Sequence, residues 1–502
     1  MANEHEFRIA LISPQVIGHQ RQIRKALPPL GLAYIAGVLE ERGYDEILFI
    51  DAAAADYSNV VQLEDDPALV KFGMSDKAIA EKIKDFSPDI IGISLLFSSQ
   101  AECAFSIART LKRVMPDTPV VLGGIHASIM YEGIMEKEGS IDYILAGEGD
   151  YTFTELVEKL SGNEDYTQIP GLVWRDGPEV RKNPNPSFIK DISELPFPAW
   201  HLMDMENYFS IAMPHNPFVK SGRVGCIMTS RGCPQRCYFC SSARYFGHLF
   251  RPMSAARVIE MVQYMVDRFR IKEIQILDDN STLDYKRIID ICEGIKHMKL
   301  RITFPNGIRS DMPKDHEKRL KMFQAMCDAG TEQISISVEH GDQDFLNNVM
   351  RKKQDLKEAL VTCDLAHEAG LLVHASFMIG FPFETALQRQ RTVDFARKLD
   401  ADSFSVSLAT PLPGTPMWDI VEKHGLFMDS FNPSRVLYGQ VSIKPHDIAP
   451  EELYSFVEET NRQLNETASR KRPESAKKYE LFKGKTADDD RKYLFVDVDK
   501  ED

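Results

Sequence analysis

Short, almost wholly apolar segments alternate with amphipathic helical patterns twice along this chain, and that alternation leaves few folds open. In the first stretch the apolar runs are residues 8–14 (RIALISP), 46–52 (EILFIDA), 89–97 (DIIGISLLF), 120–128 (VVLGGIHAS) and 143–150 (YILAGEGD). Between them, residues 31–43, 75–86 and 99–114 space Leu, Ile, Ala and Phe at helical intervals. Strands this apolar are covered on both faces, which predicts a parallel, doubly wound α/β sheet. Ligands of such sheets bind in the crevice beyond the carboxyl ends of the strands. That edge carries Ser13, Ser94, Gly123, Gly124, His126, Gly147, Glu148 and Gly149. The small residues among them let a bulky planar ligand come close to the backbone. No GxGxxG follows the first strand, where RIALISPQVIG stands, so a flavodoxin-like order fits better than a dinucleotide-binding Rossmann one.

The first domain is read as residues 1–162, closing with the helical pattern DYTFTELVEKLSG, and residues 163–220 join it to the second stretch. In this linker IPGLVWRDGPEVRKNP predicts a hairpin turning at Asp176–Gly177. The proline spacing of NPNPSFIKDISELPFPAWHLMDMENYF predicts an extended strap and no helix.

From residue 221 to 430 the alternation resumes with longer helices, one of them opened by Ser254 as N-cap. The expected strands are VGCIMTS, EIQILDD, RITFPNGIR, QISISVE, LVHASFMIG and FSVSLATP. In QISISVE, Ile334, Ile336 and Val338 share one face while Ser335, Ser337 and Glu339 share the other. Six such units fit a partial (β/α)6 barrel whose apolar faces meet outer helices and whose polar faces look inward. A closed barrel is filled by Val, Ile and Leu. One lined by Gln275, Asp279, Arg301, Thr303, Arg309, Glu339 and His374 is expected to be open and to hold something polar.

SRGCPQRCYFC, residues 230–240, follows the first of these strands and places Cys233, Cys237 and Cys240 close together. Three such thiolates can wrap one face of an iron–sulfur cluster. A four-iron cluster has four corners, so one iron stays open for chemistry. A structural zinc site wants a fourth Cys or His at similar spacing, and Cys226 and His248 sit poorly for it. Cys292, Cys327 and Cys363 fall on apolar faces of helical patterns, and Cys103 and Cys226 are also read as structural, so a single cluster is expected.

CxxxCxxC with Phe239 just before its last Cys resembles the signature of the radical S-adenosylmethionine (SAM) enzymes. That resemblance implies a 4Fe–4S cluster whose open iron binds SAM, and reductive cleavage of SAM to a 5′-deoxyadenosyl radical. An external one-electron reductant of flavodoxin or ferredoxin type comes with it. Further stretches match SAM-contacting places of that family: Phe239 and MIGFP with Gly380 beside the adenine, Glu339 at the ribose, and Asp279 of LDDN near the methionine amine, without the usual glycine pair. Arg309 is placed among these contacts. With PPLGLAYIAGVLEERGY near its start, the first domain looks like the cobalamin-binding domain of the cobalamin-dependent radical SAM enzymes. The strand-end residues from Ser13 to Gly149 then become cobalamin contacts. The DxHxxG loop that supplies a histidine to cobalt elsewhere is absent, and His126 is read as a pocket-lining residue, with approach to the corrin as its alternative.

The family's chemistry uses SAM both as methyl donor and as radical source, which implies a methyltransferase acting on an unactivated carbon of a small-molecule intermediate. A ring-forming or oxidising member with the same cofactors is the alternative, and a non-catalytic corrinoid-binding protein is a third reading. Methylthio transfer to tRNA normally needs a second, amino-terminal cluster, and only Cys103 stands in that half. A net charge of −15 leaves no basic field for a phosphate backbone, so nucleic acid is not an expected partner. The start has no signal-peptide pattern and no run approaches membrane-spanning length; with the cysteine usage this points to the cytoplasm. Residues 431–502 lose the alternation and are read as an extension with a charged tail, solvated or capping the substrate entrance, in which YLFVDV could pair as a late strand.

Overall fold

A computed structural model describes residues 7–20, 22–216 and 219–472. The chain forms two compact units, one running to Pro214 and including Asn432–Val436, the other beginning at His215.

In the first unit, strands Ile9–Ser13, Ile47–Asp51, Ile90–Ser94, Val120–Gly123 and Tyr143–Leu145 are parallel, with the second at one edge and the first beside the third. Numbered along the chain, this is order 2-1-3-4-5, the flavodoxin-like winding, whose switch point lies between Ile9–Ser13 and Ile90–Ser94. The pleat explains the unbroken apolar runs. Ala10 and Ile12 pack on one side with Ile79, Ile83, Ile107 and Leu111, while Ile9 and Leu11 pack on the other with Leu32, Leu39, Phe153 and Leu156. Gly92 is glycine because a side chain there would meet the Phe153 ring at 2.9 Å.

The hairpin expected at Asp176–Gly177 forms and extends the main sheet: Leu172–Asp176 pairs antiparallel with Tyr143–Leu145, and Glu179–Lys182 pairs antiparallel with Leu172–Asp176. The strap after it crosses helix Leu30–Glu41, where Gly37 leaves room for the Phe197 carbonyl and Ala199 N–H donates to the Ala33 carbonyl at 2.8 Å. The strap departs from the extended reading at two 3-10 turns, Ile192–Glu194 and Trp200–Leu202, and at Met205–Ile211, an α-helix started by the Asp204 side chain accepting from Asn207 N–H and free of proline until Pro214. A second departure is a small antiparallel sheet of Val16–His19, Leu69–Phe72 and Val60–Gln62. The apolar run 120–128 also ends earlier as strand than expected, because Gly124 turns it into helix Ile125–Ile129.

The second unit holds the six expected strands, all parallel: Val224–Ile227, Glu273–Ile276 and Arg301–Thr303 in one sheet, Gln333–Glu339, Leu372–Ile379 and Ser403–Leu408 in another. Single parallel bridges, Ile302 to Thr331 and Ile308 to Ile336, carry the curve from one to the other. The third strand is shorter than RITFPNGIR because Phe304–Gly307 turns, with Gly307 at φ +77°. Ser254 caps helix Ala255–Phe269 as expected, accepting from Arg257 N–H.

The outer edge of Ser403–Leu408 is covered by helix Pro450–Lys471. Asn461 and Asn465, one turn apart, each accept from and donate to the strand backbone, at Val406 (2.7 and 2.8 Å) and Phe404 (3.0 and 2.9 Å). Side-chain amides here replace the neighbour an edge strand lacks. This helix lies inside the stretch 431–502 read as an extension with a charged tail, and YLFVDV lies outside the described residues.

Candidate functional site

The cysteine loop begins from a buried frame. Asp278 accepts from Thr229 N–H (2.5 Å), the Thr229 hydroxyl (2.7 Å) and the Ser230 hydroxyl (2.6 Å), and Arg287 donates to the Thr229 and Met253 carbonyls. Gly232 follows at φ +81°, where a side chain would strike the Leu249 carbonyl. Cys233, Cys237 and Cys240 are half-buried, and none of the eight cysteines is paired with another. Burial pushes all three thiols up, Cys240 to about 12, and the charges of Cys237 and Cys233 raise Cys240 further. Among the described residues no three His, Cys, Asp or Glu side chains gather tightly enough for a single metal ion. A triad spread around the corners of a cluster has no such need.

Two buried cations face this triad. Lys352 and Arg309 act on Cys237, and Arg309 on Cys233, favouring the thiolates. Lys352 pairs with Glu339 at 2.7 Å. Arg309 grips Asp311 with two bonds (2.7 and 2.8 Å) and donates to the Lys352 and Lys353 carbonyls at 3.0 Å. Its guanidinium thus holds the loop that carries Lys352. Charge of this sign beside the thiols would offset the negative charge of a thiolate-bound cluster. Lys352 escaped the sequence reading because RKK looks like a solvated basic run. Left-handed turns at Arg351 (φ +56°) and Lys353 (φ +51°) turn it inward.

The same end of the barrel holds the other residues expected at SAM. Asp279 is solvent-accessible yet closely surrounded: burial by its neighbours pushes its carboxyl up, the Ser242 hydroxyl donates to it at 2.5 Å, and it acts on Cys233 and Cys240. Next to it the buried Asn280 Oδ1 has no hydrogen-bond partner, an acceptor suited to an ammonium group. Glu339 ends its strand at φ +71°, and its charge reaches Cys237. Phe239 packs on Phe381, the residue after Gly380, at 6.2 Å. These donors fit the cluster and SAM.

The inward polar face of the strands is present, but part of it is satisfied from within. Arg301 pairs with Glu273 at 2.9 Å, Gln275 bonds both ways with the backbone of Asn216, and His374 lies between the Ser403 and Ser405 hydroxyls at 2.8 and 3.0 Å. Burial keeps His374 neutral, with its pKa lowered to about 4. The expectation that the whole polar lining serves a ligand is corrected accordingly. Thr303 is buried.

In the first unit, the strand-end residues separate into distinct roles. Gly123 has nothing within 4 Å of the position a side chain would take, whereas one on Gly124 (φ +102°) would meet the Leu95 carbonyl at 2.6 Å. Gly147 (φ +101°) lies against Pro186, and Gly149 opens helix Gly149–Ser161. Glu148 is buried and accepts from Ile189 N–H at 3.0 Å, anchoring the strap. Ser13 hydrogen-bonds Asp51, and Ser94 ends its strand beside Gly123. His126 is buried, its Nδ1 2.8 Å from the Ser98 hydroxyl, and burial lowers its pKa to about 4, so the ring is neutral. Leu96 and Phe97, read as strand, instead stand exposed in the loop after Ile90–Ser94. An open glycine with exposed apolar side chains near the switch point fits the flank of a large macrocycle.

A flavodoxin-like sheet with this edge, and a six-stranded partial barrel with a cysteine triad at one end, define a cobalamin-dependent radical SAM protein, and the chain belongs to that family. Residues 21–157 match the B12 binding domain and residues 227–396 the radical SAM superfamily; the cofactors of such proteins are cobalamin, SAM and a 4Fe–4S cluster. The chain is 33% identical to an uncharacterized methyltransferase of Pyrococcus horikoshii over 84% of each chain. It is 29% identical to cytidylyl-2-hydroxyethylphosphonate methyltransferase of Streptomyces wedmorensis, over 91% of this chain and 90% of that one. Identity to an anaerobic magnesium-protoporphyrin IX monomethyl ester cyclase of Cereibacter sphaeroides is 27%, over 90% and 69%. The fold is also that of the radical SAM methyltransferase TsrM from Kitasatospora setae, solved with cobalamin and a [4Fe-4S] cluster (TM-score 0.69, 18% identity, 92% of this chain and 90% of that chain).

Proposed function

We propose that the protein methylates an unactivated carbon of a small-molecule biosynthetic intermediate. The observation that carries this is the meeting, at one end of the barrel, of a thiol triad, two buried cations and the carboxylates of Asp279 and Glu339. Cys233, Cys237 and Cys240 would hold the cluster, with Arg309 ordering the loop that presents Lys352. Asp279 and Asn280 would bind the SAM ammonium, Glu339 the ribose, and Phe239 with the Gly380 turn the adenine. Gly123, flanked by Ser94 and the Leu96–Phe97 loop, with Ser13 one strand further along the same edge, would bear the corrin. When bound, these cofactors supply a methyl group and an organic radical; the protein orients them and excludes water. His126, neutral and bonded to Ser98, is a wall of that pocket. An external one-electron reductant would supply the electron.

Likeness to the Streptomyces enzyme along nearly the whole chain makes a nucleotide-activated phosphonate the first substrate class to try. The second reading, ring formation with the same cofactors, draws on the cyclase relative. Product mass separates them: a substrate that gains one methyl group supports methylation, and one that loses hydrogen without gaining carbon supports cyclisation.

A further inference from the structure

The strand end at Glu339 and the turn at Gly380, both assigned above to SAM, are joined by a buried pair on the loops that follow them. His340 and Glu384 have side chains with no exposed surface. Glu384 Oε2 accepts from Gly380 N–H at 2.6 Å, and its Oε1 lies 2.9 Å from His340 Nε2. His340 Nδ1 is 3.0 Å from Asp342 N–H, which can only donate. Nδ1 is therefore the acceptor, and the ring carries its proton on Nε2, pointed at Glu384. Two donors, one from each loop, converge on one carboxylate. Phe381 packs over the join, 6.3 Å from His340, 5.7 Å from Phe345 and 6.2 Å from Phe239. On either side the backbone is left-handed: Glu339 at φ +71°, Gly380 at φ +89° and Phe383 at φ +62°. Non-glycine residues stay in that region only where the surroundings hold them.

We propose that His340 and Glu384 are positioning residues for SAM. They lock the Glu339 turn and the Gly380 turn in one relative setting, so that a ribose-facing carboxylate and an adenine-facing backbone meet the same cofactor. The proposal rests on the reading of Glu339 and Gly380 as SAM contacts. Glu384→Gln tests it at constant size. Its amide replaces one acceptor by a donor, and because Asp342 fixes the His340 tautomer, the amide meets a donor head-on whichever way it turns. A double variant with His340→Gln removes that conflict, since one amide oxygen can accept from the other amide.

The measurements are iron content and SAM affinity by equilibrium dialysis, on the full-length reconstituted protein. E384Q is expected to keep its iron and to bind SAM about tenfold more weakly, with most of the loss recovered in the double variant. Unchanged affinity in E384Q would overturn the proposal. So would loss of the cluster in both variants, since the pair would then serve the core rather than the loops. Glu339→Ala is the control: if it binds SAM normally, the assignment of Glu339 falls, whereas if it binds weakly while E384Q does not, only the positioning role falls.

Discussion

The cysteine triad and the glycines at the sheet edge make single-residue predictions of opposite kinds. Replacing Cys233, Cys237 or Cys240 by Ala should abolish cluster assembly, read as iron bound after anaerobic reconstitution; full iron in any of the three would contradict its role as a ligand. Gly123→Val should fold normally, since its side chain enters open space, and should lose cobalamin while keeping iron. Gly124→Val should instead destabilise the first unit, because φ +102° and the Leu95 carbonyl exclude a side chain. Retention of cobalamin by Gly123→Val at unchanged stability would show that Gly123 faces nothing that binds. The triad was legible because its chemistry lies in spacing alone. Lys352 was not, because its burial depends on two left-handed residues that no periodicity reports. The difference between Gly123 and Gly124 was likewise hidden, since it depends on how near Leu95 comes.

Among the elements, helix Met205–Ile211 and helix Pro450–Lys471 each fasten to a sheet through polar side chains. Tyr208 donates to the buried Asp51 at 2.5 Å, and burial pushes the Asp51 carboxyl up from 3.8 to about 6. The folded state therefore holds this proton more tightly than the unfolded chain, so stability falls as pH rises between these values. The penalty at pH 7 is on the order of 3 kcal/mol. Asp51→Asn should remove it, raising stability in urea at pH 7 and flattening the pH profile; a less stable variant with the same profile would contradict this. Asn461→Ala with Asn465→Ala removes four bonds to strand Ser403–Leu408 and should cost about 2–4 kcal/mol in the same measurement. An unchanged denaturation midpoint would show that water serves that edge equally well. Long strands and helices with apolar faces were readable here. Helix Pro450–Lys471 also carries such a stripe, Leu453, Val457, Leu464 and Ala468, but dense surface charge obscured it. The small sheet of Val16–His19, Leu69–Phe72 and Val60–Gln62 gave little signal, since strands so short, one of them exposed, bury too little to show a period.

At the scale of the whole molecule, the alternating pattern was enough to read two α/β units and their classes. The order of the first sheet came from another signal: without GxGxxG after its first strand a flavodoxin-like winding fitted better, and 2-1-3-4-5 is that winding. The alternating pattern could not show that Arg301, Gln275 and His374 each have partners within the protein, Glu273, the Asn216 backbone and the Ser403 and Ser405 hydroxyls. Methyl transfer to an unactivated carbon makes a demand that neither cyclisation nor simple corrinoid binding shares: SAM must be consumed in two ways, as methyl donor and as radical source. The direct measurement is to incubate the reconstituted protein, cobalamin and a one-electron reductant with methyl-deuterated SAM and a small-molecule substrate that it turns over, then quantify all products. The label should appear in the product of that substrate, with S-adenosylhomocysteine and 5′-deoxyadenosine formed in equal amounts. Turnover of a substrate with 5′-deoxyadenosine but neither label transfer nor S-adenosylhomocysteine would contradict methyl transfer.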